Sequence, residues 1–318
     1  MGIVRSMVAL GILLGAPPAF AQTYPSKPVK LVVPFPAGSA TDQVARLTGQ
    51  QLQEGLGQPF IIENKPGAQG AIAAAEVAKA APDGYTILVT TNTTQAANVS
   101  LFKKLSYDPV KDFSPVARLG TTSFVLMVKP EFPARTLKEF VAYVKTQPGR
   151  FSAGHGSAGS QVSAAMLKSM AGLDVVAVPY KGIPQAVTDV IGGSLTYTFV
   201  DLGNALGQLK GGRLKALGVT SEKRSSVAPD IPAIAETLHG YELIAWFGLM
   251  APAGTPKEIV AKLHDVAAKG VAKPEVKERF AGIGTDVALL NPEELAKFIQ
   301  SEIAKWARLT QEAGIQPE

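Results

Sequence analysis

Short β-branched runs alternate along this chain with longer stretches of helical spacing. Val29-Lys30-Leu31-Val32-Val33 reads as a buried strand, stopped by Pro34. Val44, Leu47, Leu52 and Leu56 then recur at near-helical spacing behind Asp42, and Gly57 closes the segment. This predicts a helix with Asp42 as its N-cap. Phe60-Ile61-Ile62 predicts a second strand, ended by Asn64-Lys65-Pro66-Gly67. An alanine-rich helix follows over 70–80, then a Pro82-Asp83-Gly84 turn and a third strand from Tyr85 to Thr90. Strands alternating with helices imply right-handed crossovers and a parallel sheet covered on both faces.

The same rhythm restarts further on. Thr136 with Glu139 predicts a capping box for a helix through Lys145. Strands are predicted at Phe151–Ala153, Val175–Val178, Leu195–Val200 and Leu214–Val219, with helices at Ser160–Ala171 and Pro184–Ile191. The long apolar segment Leu243–Met250 is expected to cross from one sheet back to the other, with two final helices after it. In the last of these Leu295, Phe298, Ile299, Ile303, Trp306 and Leu309 form one stripe, the face of a packed helix. Two βα sheets in one chain suggest two lobes with a cleft between them. Ligands in open α/β sheets sit beyond the carboxyl ends of strands.

Composition narrows the chemistry. The 318 residues suffice for about two domains. With 46% hydrophobic and 18% charged residues the chain is not of the disordered type. The absence of Cys excludes disulfides, thiol catalysis and Cys-ligated zinc, and three His leave little for a histidine metal site. No cofactor or metal is implied. The net charge of +5 is mild and the basic residues are interspersed with acidic ones, so nucleic acid is not an expected partner. Arg5, the apolar run Met7–Leu14, Pro17-Pro18 and Ala19-Phe20-Ala21 have the layout of a secretory signal cleaved before Gln22. The run is short of the ~20 residues that span a bilayer. An exported protein cannot depend on NAD or ATP.

Five strand-end loops hold the candidate chemistry. Phe35-Pro36-Ala37-Gly38-Ser39-Ala40-Thr41 precedes a helix start, where unpaired amides and a positive dipole end favour an anion. It carries no Lys, so it is not a Walker loop. Thr91 and Asn92 follow the third strand in a run of hydroxyls and amide, either facing the cleft or forming a solvated turn. Gly154-His155-Gly156-Ser157-Ala158-Gly159 matches G-x-G-x-x-G. A dinucleotide site would need an acid at the end of the next strand, where Tyr180 stands instead. A nucleophile elbow would need glycine where His155 stands. Ser157 with a distant base leaves a hydrolase as the rival, and a second anion cradle as the main reading. Tyr180 and Asp201 end further strands; the Asp201 carboxylate would take a ligand ammonium or hydroxyl, or else cap a helix.

At these loops the sequence resembles the Bug family, the extracytoplasmic solute receptors of tripartite tricarboxylate transporters. The resemblance rests on Val33-Pro34-Phe35-Pro36-Ala37-Gly38 with Asp42, Glu63-Asn64-Lys65-Pro66-Gly67, Ala81-Pro82-Asp83-Gly84-Tyr85 and Tyr107-Asp108-Pro109. It continues in Val178-Pro179-Tyr180-Lys181-Gly182, Trp246-Phe247-Gly248 and Ala251-Pro252-Ala253-Gly254-Thr255-Pro256. It implies an α/β, two-lobed periplasmic binding protein fold of type II-like form, each lobe a mostly parallel sheet flanked by helices. Lobe boundaries are expected at 22–122 with 244–318, and 123–243. The resemblance further implies no catalysis, and a monomer in the periplasm working with membrane transporter subunits. The ligand would be a small organic acid: a di- or tricarboxylate, an aromatic acid or an acidic amino acid. Ala37, Gly38, Ser39, Thr41 and Ser157 would hold the carboxylate and Asp201 the ligand's other end; Phe35, Thr91, Asn92, His155 and Tyr180 complete the expected site. Ser39 stands where the family often has a second glycine, and Ser160-Gln161 where a histidine commonly opens the helix. A receptor feeding a membrane sensor kinase is a further alternative.

Overall fold

The computed structural model describes residues 24–317, so the segment read as an export signal lies outside the described residues. The chain opens with β1 (Val29–Val33), α1 (Ala40–Leu56), β2 (Phe60–Asn64), α2 (Ala71–Ala78) and β3 (Thr86–Thr91). β1 pairs in parallel with both neighbours, Leu31 lying opposite Ile62 and Ile87. A π turn (Thr93–Ala97) and α3 (Asn98–Leu101) lead to β4 (Phe113–Val128). The second half runs α4 (Leu137–Lys145), β5 (Phe151–His155), α5 (Ala158–Ala171), β6 (Val175–Pro179), α6 (Ile183–Gly192), β7 (Tyr197–Asp201), α7 (Leu202–Lys210) and β8 (Lys215–Val219). β9 (Ile244–Pro252), α8 (Lys257–Ala272), α9 (Pro274–Gly282), β10 (Asp286–Leu290) and α10 (Pro292–Glu312) complete it.

The strands form two sheets with one long strand in common. The first has the order β2-β1-β3-β9-β4-β10, using β4 up to Ser123. The second has the order β6-β5-β7-β4-β8, using β4 from Phe124 onward. Each lobe thus repeats one plan: a parallel βα trio closed by an antiparallel strand. The trio is the part that the alternating pattern predicts; β4, β9, β8 and β10 run antiparallel. One apolar core fills the second lobe, and two pack the faces of the first sheet.

One strand escapes the sequence reading, and two expectations are corrected. β4 escapes the pattern because Pro115, Arg118 and Gly120 interrupt its first half, and the pairing with β9 absorbs them as register shifts. The tail holds three helices and a strand rather than two helices. The capping box at α4 is half formed: Thr136 Oγ1 accepts from Glu139 N, while the Glu139 carboxylate reaches Arg135 N instead of Thr136 N.

The segment from Leu243 does bring the chain back. Leu243 N bonds Thr220 O in the second lobe, and β9 then joins the first sheet. α10 bridges the lobes. Its Leu295 and Ile299 pack with Trp246 against the first sheet, while Trp306 and Leu309 enter the second lobe's core. Between them Glu302 is buried, accepting from Trp246 Nε1 at 2.9 Å and Trp306 Nε1 at 3.0 Å.

Candidate functional site

Two helices begin at the cleft in the same way. At α1 the N-cap is Ser39: its Oγ accepts from Asp42 N at 3.3 Å and its carbonyl from Gln43 N. Asp42, expected to cap, sits in the first turn. Its carboxylate accepts from Gly38 N, Arg46 and Asn64 Nδ2. Burial pushes that carboxyl up, but the hydrogen bonds from Arg46, Gly38 and Asn64 prevail and hold it below the usual range. The amides of Ala40 and Thr41 find no partner among the described residues. At α5 the N-cap is Ser157, whose Oγ accepts from Ser160 N at 3.2 Å. Ser160 Oγ in turn accepts from the amides of Gly156 and Ser157. Here the amides of Ala158 and Gly159 are left over.

The loop after β3 supplies the third wall. Its π turn stands on a buried polar network: Thr90 Oγ1 with Thr94 Oγ1 at 2.7 Å, and Tyr107 OH donating to Thr94 O at 2.6 Å. This fixes Asn92, which is 2% exposed and whose Nδ2 donor has no partner. Asp201, at the end of β7, is the fourth group. It precedes α7 but makes no capping bond. Burial pushes its carboxyl up to about 6, since no cation lies beside it.

These groups enclose one cavity of about 360 Å³, counting its open mouth. It gathers Phe35, Ser39, Thr41, Thr91, Asn92, Ser157 and Asp201 from the sequence-derived set. The other four lie elsewhere. Ala37 and Gly38 are exposed beside it, and the Gly38 amide is committed to Asp42. His155 is buried outside the cavity, and burial pushes it down to about 4, so the ring is neutral at pH 7. Tyr180 turns its hydroxyl to Asp189 Oδ2 at 2.7 Å. Thr93, Phe124, Ile183 and Phe247 also line the cavity. Phe124 and Phe247 lie on the strands that join the lobes, where a search of strand-end loops does not look. The signal available was their place within apolar runs flanking polar residues.

Among the described residues no Lys or Arg lines the cavity, and Asp201 is the one charged side chain that does. Among the described residues no group of three His, Asp or Glu is placed to hold a metal ion. The glycines of the G-x-G-x-x-G run serve close packing. A Cβ on Gly156 would stand 2.1 Å from Gly182 C, and one on Gly159 2.3 Å from Phe124 Cζ. Ser157 Oγ is paired with Ser160, and no histidine bonds it.

Residues 44–315 match the family described as the tripartite tricarboxylate transporter family receptor. The chain belongs to that family. Protein BugT of Bordetella pertussis is 33% identical over 324 residues, covering 99% of each chain. Among solved structures, R. palustris Rpa4515 with adipate shares 34% identity at a TM-score of 0.90, over 93% of this chain and 100% of that one. MatC from Rhodopseudomonas palustris with bound malate shares 37% identity at a TM-score of 0.84, over 90% and 99%. The two-lobed α/β architecture is therefore that of this receptor family, whose solved members include periplasmic binding proteins. Among the described residues no helix is long and apolar enough to cross a membrane.

Proposed function

We propose that this chain is an exported, monomeric receptor that captures a small organic carboxylate between its lobes and delivers it to membrane transporter subunits. Residues 1–21 direct export and are removed near Ala21. One observation carries the reading. The unpaired amides of Ala40 and Thr41 at the start of α1 and the unpartnered Nδ2 of Asn92 belong to residues lining one cavity, which Gly156 and Ser157 at the start of α5 also line and which has no basic side chain among the described residues. A carboxylate satisfies all of them at once. Hydrogen bonds to a charged partner contribute roughly 1.5–3 kcal/mol each, so a few neutral donors suffice without an ion pair. The aromatic walls, Phe35, Phe124 and Phe247, cover the ligand's carbon frame. Asp201 receives the far end through a hydroxyl, an ammonium or a protonated carboxyl. Ser157 Oγ caps α5 and no histidine bonds it among the described residues, which weighs against the serine hydrolase reading.

The test is the melting midpoint of the purified protein with malate, adipate, citrate, benzoate and glutamate. An acid at 100 times its Kd adds about 2.7 kcal/mol, which shifts the midpoint visibly. Asn92→Ala should abolish that shift while leaving the ligand-free midpoint near wild type. If no acid moves the midpoint the receptor reading fails, and labelling of Ser157 by a serine-directed probe then favours the hydrolase.

A further inference from the structure

Several contacts join the lobes away from the strands that connect them, three of which bear on closure. Pro36, after β1, lies so close to Gly182, before α6, that a Cβ there would stand 2.5 Å from Pro36 Cδ. Gln43 on α1 donates through Nε2 to Asn204 Oδ1 on α7 at 2.7 Å. Gln69 Nε2 donates to Gln161 Oε1 at 2.9 Å. Gln69 belongs to the Ala68–Gly70 turn ahead of α2 in the first lobe; Gln161 is on α5 in the second, one turn past Ser157. Neither glutamine lines the cavity.

The Gln69 side chain is held out at a backbone cost. Ala68 and Gln69 have φ of +45° and +51°, the left-handed region that side chains rarely adopt. Such conformations persist only where the surroundings impose them, often at ligand clamps. Here the surroundings are Asn98, whose Nδ2 donates to Gln69 O and to Tyr107 OH, both at 3.1 Å. Tyr107 also holds the π turn that brings Thr93 to the cavity. One hydrogen-bonded chain thus runs from a cavity wall, through Asn98 and Gln69, to Gln161 on the helix whose start forms the opposite wall.

We infer that the Gln69–Gln161 pair is a latch between the lobes, which sets how long the cleft stays shut on its ligand without touching it. This rests on the receptor reading. Contacts that form only after closure act on release more than on capture. The experiment is stopped-flow binding to wild type, Gln69→Ala, Gln161→Ala and the double variant. The probe is the acid from malate, adipate, citrate, benzoate and glutamate that shifts the wild-type midpoint most. Each single variant should speed dissociation about tenfold, and the double variant no more than either single one, because one shared contact is lost. Association should stay within about twofold of wild type. An unchanged dissociation rate in Gln161→Ala overturns the latch, as do single effects that multiply in the double variant. Gln161→Ala decides the matter alone if Gln69→Ala fails to fold, since it leaves the strained turn untouched. If no acid shifts the wild-type midpoint, the receptor reading fails first and takes the latch with it.

Discussion

Asp201 is a carboxylate buried without a cation, and its cost depends on pH. Its folded value lies near 6, above the ordinary 3.8. The group therefore adds no penalty below about pH 4, and stability is lost as pH rises through about 6. Asp201→Asn should stabilise the ligand-free protein at pH 8 by about 3 kcal/mol and by nearly nothing at pH 4. Urea unfolding at the two pH values checks this. On the proposed function the same group would sort ligands. A dicarboxylate whose second carboxyl must share a proton with Asp201 should bind more weakly at pH 8 than at pH 5.5, by calorimetry. A ligand offering a hydroxyl or ammonium should not weaken. At this scale the sequence exposes Ser39, Thr41, Ser157 and Asp201, because strand ends aim them into the cleft. Asp42 was legible too, yet misread. Ser39-Ala40-Thr41-Asp42 has the S-x-x-D spacing in which the serine caps and the acid sits in the first turn.

Among the elements, α10 does the least local job. Its stripe was plain in the sequence, but periodicity does not say that the stripe divides between two lobes. Glu302 sits at the division, bonded to one indole from β9 and one from its own helix. Glu302→Ala leaves two buried N–H groups unpaired, at roughly 1–3 kcal/mol each. A loss of about 3 kcal/mol in urea unfolding is expected. The βα trios were legible because their apolar positions keep one period from end to end. β4 was not, because its first half is broken by Pro115 and Gly120, and Thr121-Thr122-Ser123 separates it from the apolar half beyond. β10 carries a weak signal because its residues are mostly half-buried.

For the whole molecule, the repeat of the strand–helix rhythm was enough to expect two lobes and a cleft. Their contacts across the mouth were not legible, since Gln43, Gln69, Gln161 and Asn204 look like solvated helix and turn positions until the lobes meet. One property of the cleft reaches beyond the protein itself. The proposed hold on an anion would use amides, hydroxyls and Asn92, with no fixed positive charge lining the cavity among the described residues. Attraction between opposite full charges near a surface fades as salt shortens the Debye length from about 10 Å at 0.1 M to 3 Å at 1 M. A grip made of buried dipoles has little such attraction to lose. Its affinity should change less than about twofold between those ionic strengths, by calorimetry. In the proposed role the protein would then load according to how much acid surrounds it, whether that medium is dilute or briny.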